Sequence, residues 1–205
     1  MALVLTSADR VRLSDAIRAA EEHTAGEIYV VVAREAAHFR SVPVLWAAVI
    51  ALIFPWPLHL LTNLRSGTIL FAQVIVFVLV ALVGSLEWVR HRLVPDRIAG
   101  EAARKAAEAQ FMAHGVHLTE ERTGILIYVA LADRRVEVVA DAGINSKITQ
   151  ADLDRLVKDV VGAARAGALA DGLVAAVNDA GALLRTHCPP RPDDRNELPD
   201  RVVEI

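Results

Sequence analysis

Cysteine is almost missing: Cys188 is the single one in 205 residues. No internal disulfide can form, and thiol content does not tie the fold to an oxidising compartment. Aromatic residues amount to 5%, with no RNP-like spacing to stack bases and no Cys/His finger. A basic excess is lacking as well, since 22 Lys and Arg face 25 Asp and Glu for a net charge of −3. Without a cationic stripe for a phosphate backbone, nucleic acid is excluded as a partner. The patterns G-x-x-x-x-G-K, G-x-G-x-x-G and G-x-S-x-G are absent, which removes the phosphate-loop, dinucleotide and serine-hydrolase readings in their familiar forms. His114 and His117 straddle Gly115, so they do not share a helix face, and the further ligands of a zinc site are not in view. The apolar run from Ala2 to Leu5 is shorter than a signal-peptide core, so none is expected.

Apolar residues, by contrast, make up 54% of the chain, and the excess is concentrated between Val42 and Val89. Residues 42–61 carry no charge over 20 positions, and residues 68–86 carry none over 19. At about 1.5 Å per residue each can cross a hydrocarbon core of about 30 Å. Trp46, Trp56 and Trp88 fall where bilayer headgroups would lie. Pro55 and Pro57 sit at the far end of the first run, where water can meet a missing backbone bond. Residues 62–67 leave room for a tight turn only, so a two-helix transmembrane hairpin over 42–89 is expected. Arg34, Arg40, Arg90, Arg92 and Arg97 flank one side and Arg65 the other. The positive-inside rule then puts both termini in the cytoplasm, with the bilayer as one partner.

Taking out the hairpin leaves residues 1–41 and 90–205, a suitable length for one domain split by the insertion. A helix is expected from an N-cap at Ser7, with Leu13, Ile17 and Ala20 on one side. Gly26 ends it, and residues 27–33, Glu-Ile-Tyr-Val-Val-Val-Ala, read as a strand. One strand cannot satisfy its own backbone, so its partners must lie beyond the hairpin. There an Ala-rich helix is expected after Pro95, with Ile98, Ala102, Ala109 and Met112 on one side and Gly115 past its end. Runs at 124–131 and 136–140 form a strand pair about the turn Asp133-Arg134-Arg135. Helices over about 149–165 and 170–187 close the domain, which ends at 187, and residues 188–205 read as an irregular Pro/Asp-rich tail.

A right-handed crossover makes the first two strands parallel, and the third returns antiparallel. One sheet edge thereby collects Glu27, Glu120, Glu121, Arg122, Asp141, Gly143 and Asn145. Asp133 and Arg135 belong to the opposite edge, where the first strand runs on toward the hairpin.

The flanks resemble the TPM-domain family, a phosphatase-like domain, in three runs: 21–32 (EEHTAGEIYVVV), 123–144 (TGILIYVALADRRVEVVADAGI) and Asp171-Gly172-Leu173. The tail at 192–200 is similar to endings of bacterial membrane-bound relatives. The resemblance implies an α/β/α sandwich around a short mixed sheet, here interrupted by the transmembrane hairpin, in the bacterial inner membrane. It also implies a range of roles, from acid-phosphatase-like activity to assembly or accessory work. Here the expectation is a binding, assembly or accessory module at the cytoplasmic membrane face, with another membrane protein as a partner; the alternative is a metal-dependent phosphatase. For the alternative, Glu27, Asp141 and the Asn145 amide could offer hard oxygens to calcium or magnesium. Turn use of such residues is the commoner case, so the favoured expectation for the same three is a strand start, an Asx-type turn and a cap.

Overall fold

The computed structural model describes residues 5–39, 41–191 and 196–205; of these, the side chains at 87, 88 and 91 lie outside the description, and with them the Trp88 indole. Arg40 also falls outside it. The chain divides into two compact units, one of Met1–Ala36 with Gly100–Ile205 and one of Ala37–Ala99.

The first unit is built on hydrophobic alternation. Strands β1 (Ile28–Ala33), β2 (Ile125–Ala130), β3 (Arg135–Ala140) and β4 (Val202–Glu204) form one sheet in the order β3-β2-β1-β4. β1 runs parallel to β2 and β4, while β2 and β3 are antiparallel. All six residues of β1 and of β2 are buried, as expected of strands covered on both faces. Ile28, Val30, Val32, Ile125, Ile127 and Val129 point to one face, where they meet helices α1 (Ser7–Glu21), α8 (Gln150–Arg165) and α9 (Leu169–His187). Leu13, Ile17, Leu156, Val160, Leu173 and Leu184 are among the buried residues those helices supply. Tyr29, Val31, Leu126 and Tyr128 point to the other face, against α6 (Asp96–Ala113). The result is the α/β/α sandwich with a mixed sheet.

Three local expectations are corrected. The tail is not irregular to its end, because Val202–Glu204 pairs with Val30–Val32 as β4; a central parallel strand with an open edge rewards even three residues of pairing. The buried side of α6 is Ala103, Ala107 and Phe111, while Ile98 and Met112 are about half exposed. Alanine repeats at i and i+4 on several faces, so the one aromatic residue, with its larger area, decides which face turns inward. The N-cap of α1 is Thr6, whose hydroxyl accepts from Asp9 N–H while the Asp9 carboxylate accepts from Thr6 N–H. That reciprocal pair satisfies two amide donors, which Ser7 one residue later cannot do. α8 starts on the same device, with Thr149 and Asp152.

The second unit contains α2 (Ser41–Ile53), α3 (Pro55–Leu61), α4 (Ser66–Gly84) and α5 (Glu87–Leu93). α2 and α3 run on as one apolar stretch, Ser41–Leu61, of 21 residues, and α4 adds 19; about a tenth of each is buried. These two helices are long and apolar enough to cross a membrane. Their contact uses small residues: Ala47 and Ala51 are buried, and a methyl group on Gly84 would lie 2.9 Å from Pro43 Cβ. Close backbone approach through small side chains is how helices pack where lipid offers no hydrophobic drive. Outward stand Leu45, Leu52, Leu60, Phe71 and Leu82, all more than half exposed.

Candidate functional site

The strand directions bring the start of β1, the start of β2 and the end of β3 to one edge. Glu27 directly precedes β1 and Asp141 directly follows β3, so they flank the same row of the sheet, with Gly124 between them. The row is closed by Ile125 N–H to Glu27 O at 2.8 Å and Asp141 N–H to Gly124 O at 2.9 Å. Two strand spacings put the backbones of Glu27 and Asp141 about 10 Å apart. The space over Gly124 is filled: a Cβ there would meet Val116 Cγ1 and O at 2.5 Å.

Each expected residue has local work. The Asp141 carboxylate accepts from Ala142 N–H at 2.6 Å and so starts α7 (Ala142–Asn145), and it lies 3.7 Å from Arg122 Nε. Gly143 is required two residues later, because a side chain there would run into the carbonyls of Glu121 and Arg122. Asn145 is the exposed last residue of α7, and the cap of the next long helix falls to Thr149. Glu27 is 6% exposed and accepts the Glu197 N–H at 2.9 Å. Glu27 Oε2 and Asp141 Oδ2 are both buried without a hydrogen-bond partner among the described residues. Among the described residues no group of three or more His, Cys, Asp or Glu side chains is placed to hold a metal ion.

An acidic group around Glu27 is the part that sequence reasoning missed. Glu21, the last residue of α1, accepts the Ile28 N–H at 2.7 Å. Burial raises its pKa to about 9, and the charges of Glu27 and Asp200 add to the effect. The C-terminal end of a helix is also the wrong pole for a negative charge. Burial pushes Glu27 up to about 7 against the opposing Glu197 N–H bond, with the charges of Glu197 and Asp200 acting in the same direction as burial. Asp200 accepts from Arg18 Nε at 3.1 Å and from Asn196 Nδ2, and the Glu197 carboxylate accepts from Glu120 N–H at 3.1 Å. These contacts, with Arg10–Glu204 at 2.9 Å, fasten the segment leading into β4. The only signal in the sequence was a glutamate at each end of the turn between a helix and a fully apolar strand.

Comparison with known proteins agrees with this architecture. Residues 89–183 match the family model of the TPM domain. Among solved structures, the chain is similar to the NMR structure of the BA42 protein from the psychrophilic bacterium Bizionia argentinensis. The TM-score is 0.63 at 20% identity, over 100% of this chain and 98% of that one, a likeness of fold. No curated protein matches. Over residues 89–183, a little under half of its length, the chain is similar to the TPM domain.

Proposed function

We propose that this protein is a membrane-anchored TPM module that binds or helps assemble another membrane protein at the cytoplasmic face of a bacterial inner membrane. One observation carries the reading: an α/β unit with its own core is joined to two helices of 21 and 19 residues that protein buries by about a tenth. Apolar area of that extent is far more than a soluble surface leaves open. The arginines on the flanks favour cytoplasmic termini. Reporter fusions at Asn63 and after Ile205 are the test: external activity at the first and cytoplasmic activity at the second are expected, and the opposite result at either position overturns the topology. Sustained phosphate release by the purified chain, with or without magnesium, would overturn the non-enzymatic role.

A second reading has a specific observation behind it. Glu27 Oε2 and Asp141 Oδ2 are buried with no partner among the described residues, and calcium or magnesium held with the help of the Asn145 amide would satisfy them. Calcium or magnesium is then expected to raise the melting temperature of the parent, and Glu27→Gln or Asp141→Asn to abolish the rise. No metal-dependent shift in the parent would return these residues to strand-end and capping duty.

A further inference from the structure

At the sheet edge opposite Glu27, the first unit has a cavity of about 880 Å³. Its apolar walls are the ends of β2 and β3 and the facing turn of α8, through Val129, Leu131, Val136 and Val161. Its charged lining consists of Arg12, Arg134, Arg135 and Arg165 against Asp9 and Asp171. Arg12 is neutralised, with Asp171 at 2.7 Å and Asp9 at 3.9 Å, and Arg135 already has a partner. Arg134 and Arg165 are exposed, and among the described residues neither makes an ion pair.

Two backbone features bear on the same space. Arg134 has φ of 53°, a left-handed conformation in which glycine or asparagine would be easier, so the turn carries an arginine where its backbone is least suited to one. The first turn of the 19-residue helix α9 also lines the cavity, and its N-cap Ala168 supplies no side-chain acceptor. The amides of Leu169 and Ala170 are therefore left to solvent or ligand. Guanidinium groups from two elements and amides from a third reach the cavity from several directions. One carboxylate, with two oxygens in a plane, is satisfied by a single arginine, whereas a tetrahedral phosphate can use all three sources.

We infer that this cavity is a binding site for a phosphate-bearing group, with the apolar walls receiving the carbon part of the ligand. Its volume lies within the range of small-molecule sites. Two sources share that chemistry, a soluble phosphate monoester and the headgroup of an anionic phospholipid. Ala33, the last residue of β1, pairs with Ala130 of the cavity wall, so the site lies on the edge at which the chain leaves this unit for the apolar helices. The lipid source rests on the membrane reading, and the soluble source does not.

The experiment uses the full chain in nanodiscs of phosphatidylcholine, titrated with glycerol 3-phosphate, beside a preparation in nanodiscs containing phosphatidylglycerol. Arginine Nε resonances and thermal shift are read in both, for the parent, for Arg134→Gly with Arg165→Ser, and for the exposed control Lys158→Ser. Replacing Arg134 by glycine relieves the backbone, so the double variant is expected to fold. Each lost arginine should weaken binding about tenfold, and the control should match the parent. A response to glycerol 3-phosphate identifies a soluble ligand; a response to phosphatidylglycerol alone identifies a headgroup. No response in either preparation, or one that survives in the double variant or falls equally in the control, overturns the site. Because the first arm needs no membrane partner, its failure is distinguishable from failure of the topology test.

Discussion

Between pH 5 and 9 the folded first unit is expected to lose stability steadily, in contrast to a domain whose carboxylates are paired with cations. Glu21 and Glu27 have folded pKa values raised from the ordinary 4.5 to about 9 and about 7. A raised carboxyl pKa means that the folded state holds a proton the unfolded chain has released. Its contribution is complete below about pH 4.5, declines as the unfolded chain ionises, and is gone once the pH passes the folded value. For Glu21 the slope approaches about 1.4 kcal/mol per pH unit. Glu21→Gln and Glu27→Gln keep the oxygens that accept Ile28 N–H and Glu197 N–H and carry no charge. Each should flatten the profile, Glu27→Gln mainly below pH 7 and Glu21→Gln up to 9. Urea unfolding of parent and variants at intervals across this window measures it. A parent that gains stability from pH 5 to 8, or variants that retain the parent's slope, would show that the acidic group is ionised and compensated.

Residues 90–205 expressed alone are expected to remain without a cooperative transition, although this segment holds all but the first residue of the TPM match at 89–183. β1 stands between β2 and β4, and each of its six residues is buried. Without it both neighbours expose a row of backbone donors and acceptors, and α9 loses Leu13 and Ile17 from its core. Mutations that empty a single core position typically cost a few kcal/mol, against a total stability of about 5–15 kcal/mol, and this deletion removes many positions at once. Residues 1–36 joined to 100–205 by a flexible linker should instead fold and stay in solution. A sharp thermal transition in 90–205, unchanged when 1–36 is supplied, would make the first segment an appendage and refute the split domain.

Three of the four strands were readable: β1 and β2 are runs of β-branched and apolar residues, β3 alternates valine with charge, and each has a distinct breaker, Gly26 before β1, Gly124 before β2 and Asp133 between β2 and β3. Helices α8 and α9 announced their inward residues through leucine and valine at helical spacing, and Leu153, Leu156, Val160, Leu173, Val177 and Leu184 are all buried. The inward face of α6 was ambiguous because alanine marks no single side. β4 was hidden because three residues give too short an alternation, and only the open edge of β1, a tertiary feature, makes them a strand. For the site, strand direction alone placed Glu27 and Asp141 on one edge. The burial of Glu21 and its company with Asp200 could not be read, since they depend on how the segment before β4 crosses the end of α1.

The place of β1 also sets an order of events during synthesis. Its partner β2 leaves the ribosome nearly a hundred residues later, and its other partner β4 about 170 residues later. At about 5–20 residues per second the former interval is roughly five to twenty seconds, and until it ends β1 has no strand to pair with. For that time Ile28–Ala33 is an unpaired, wholly apolar segment. The two long apolar helices emerge inside the same interval, so any transfer of them out of water precedes closure of the sheet. The nascent chain must therefore protect a central strand before its fold exists, and β1 is the segment on which chaperone contact or misassembly would concentrate.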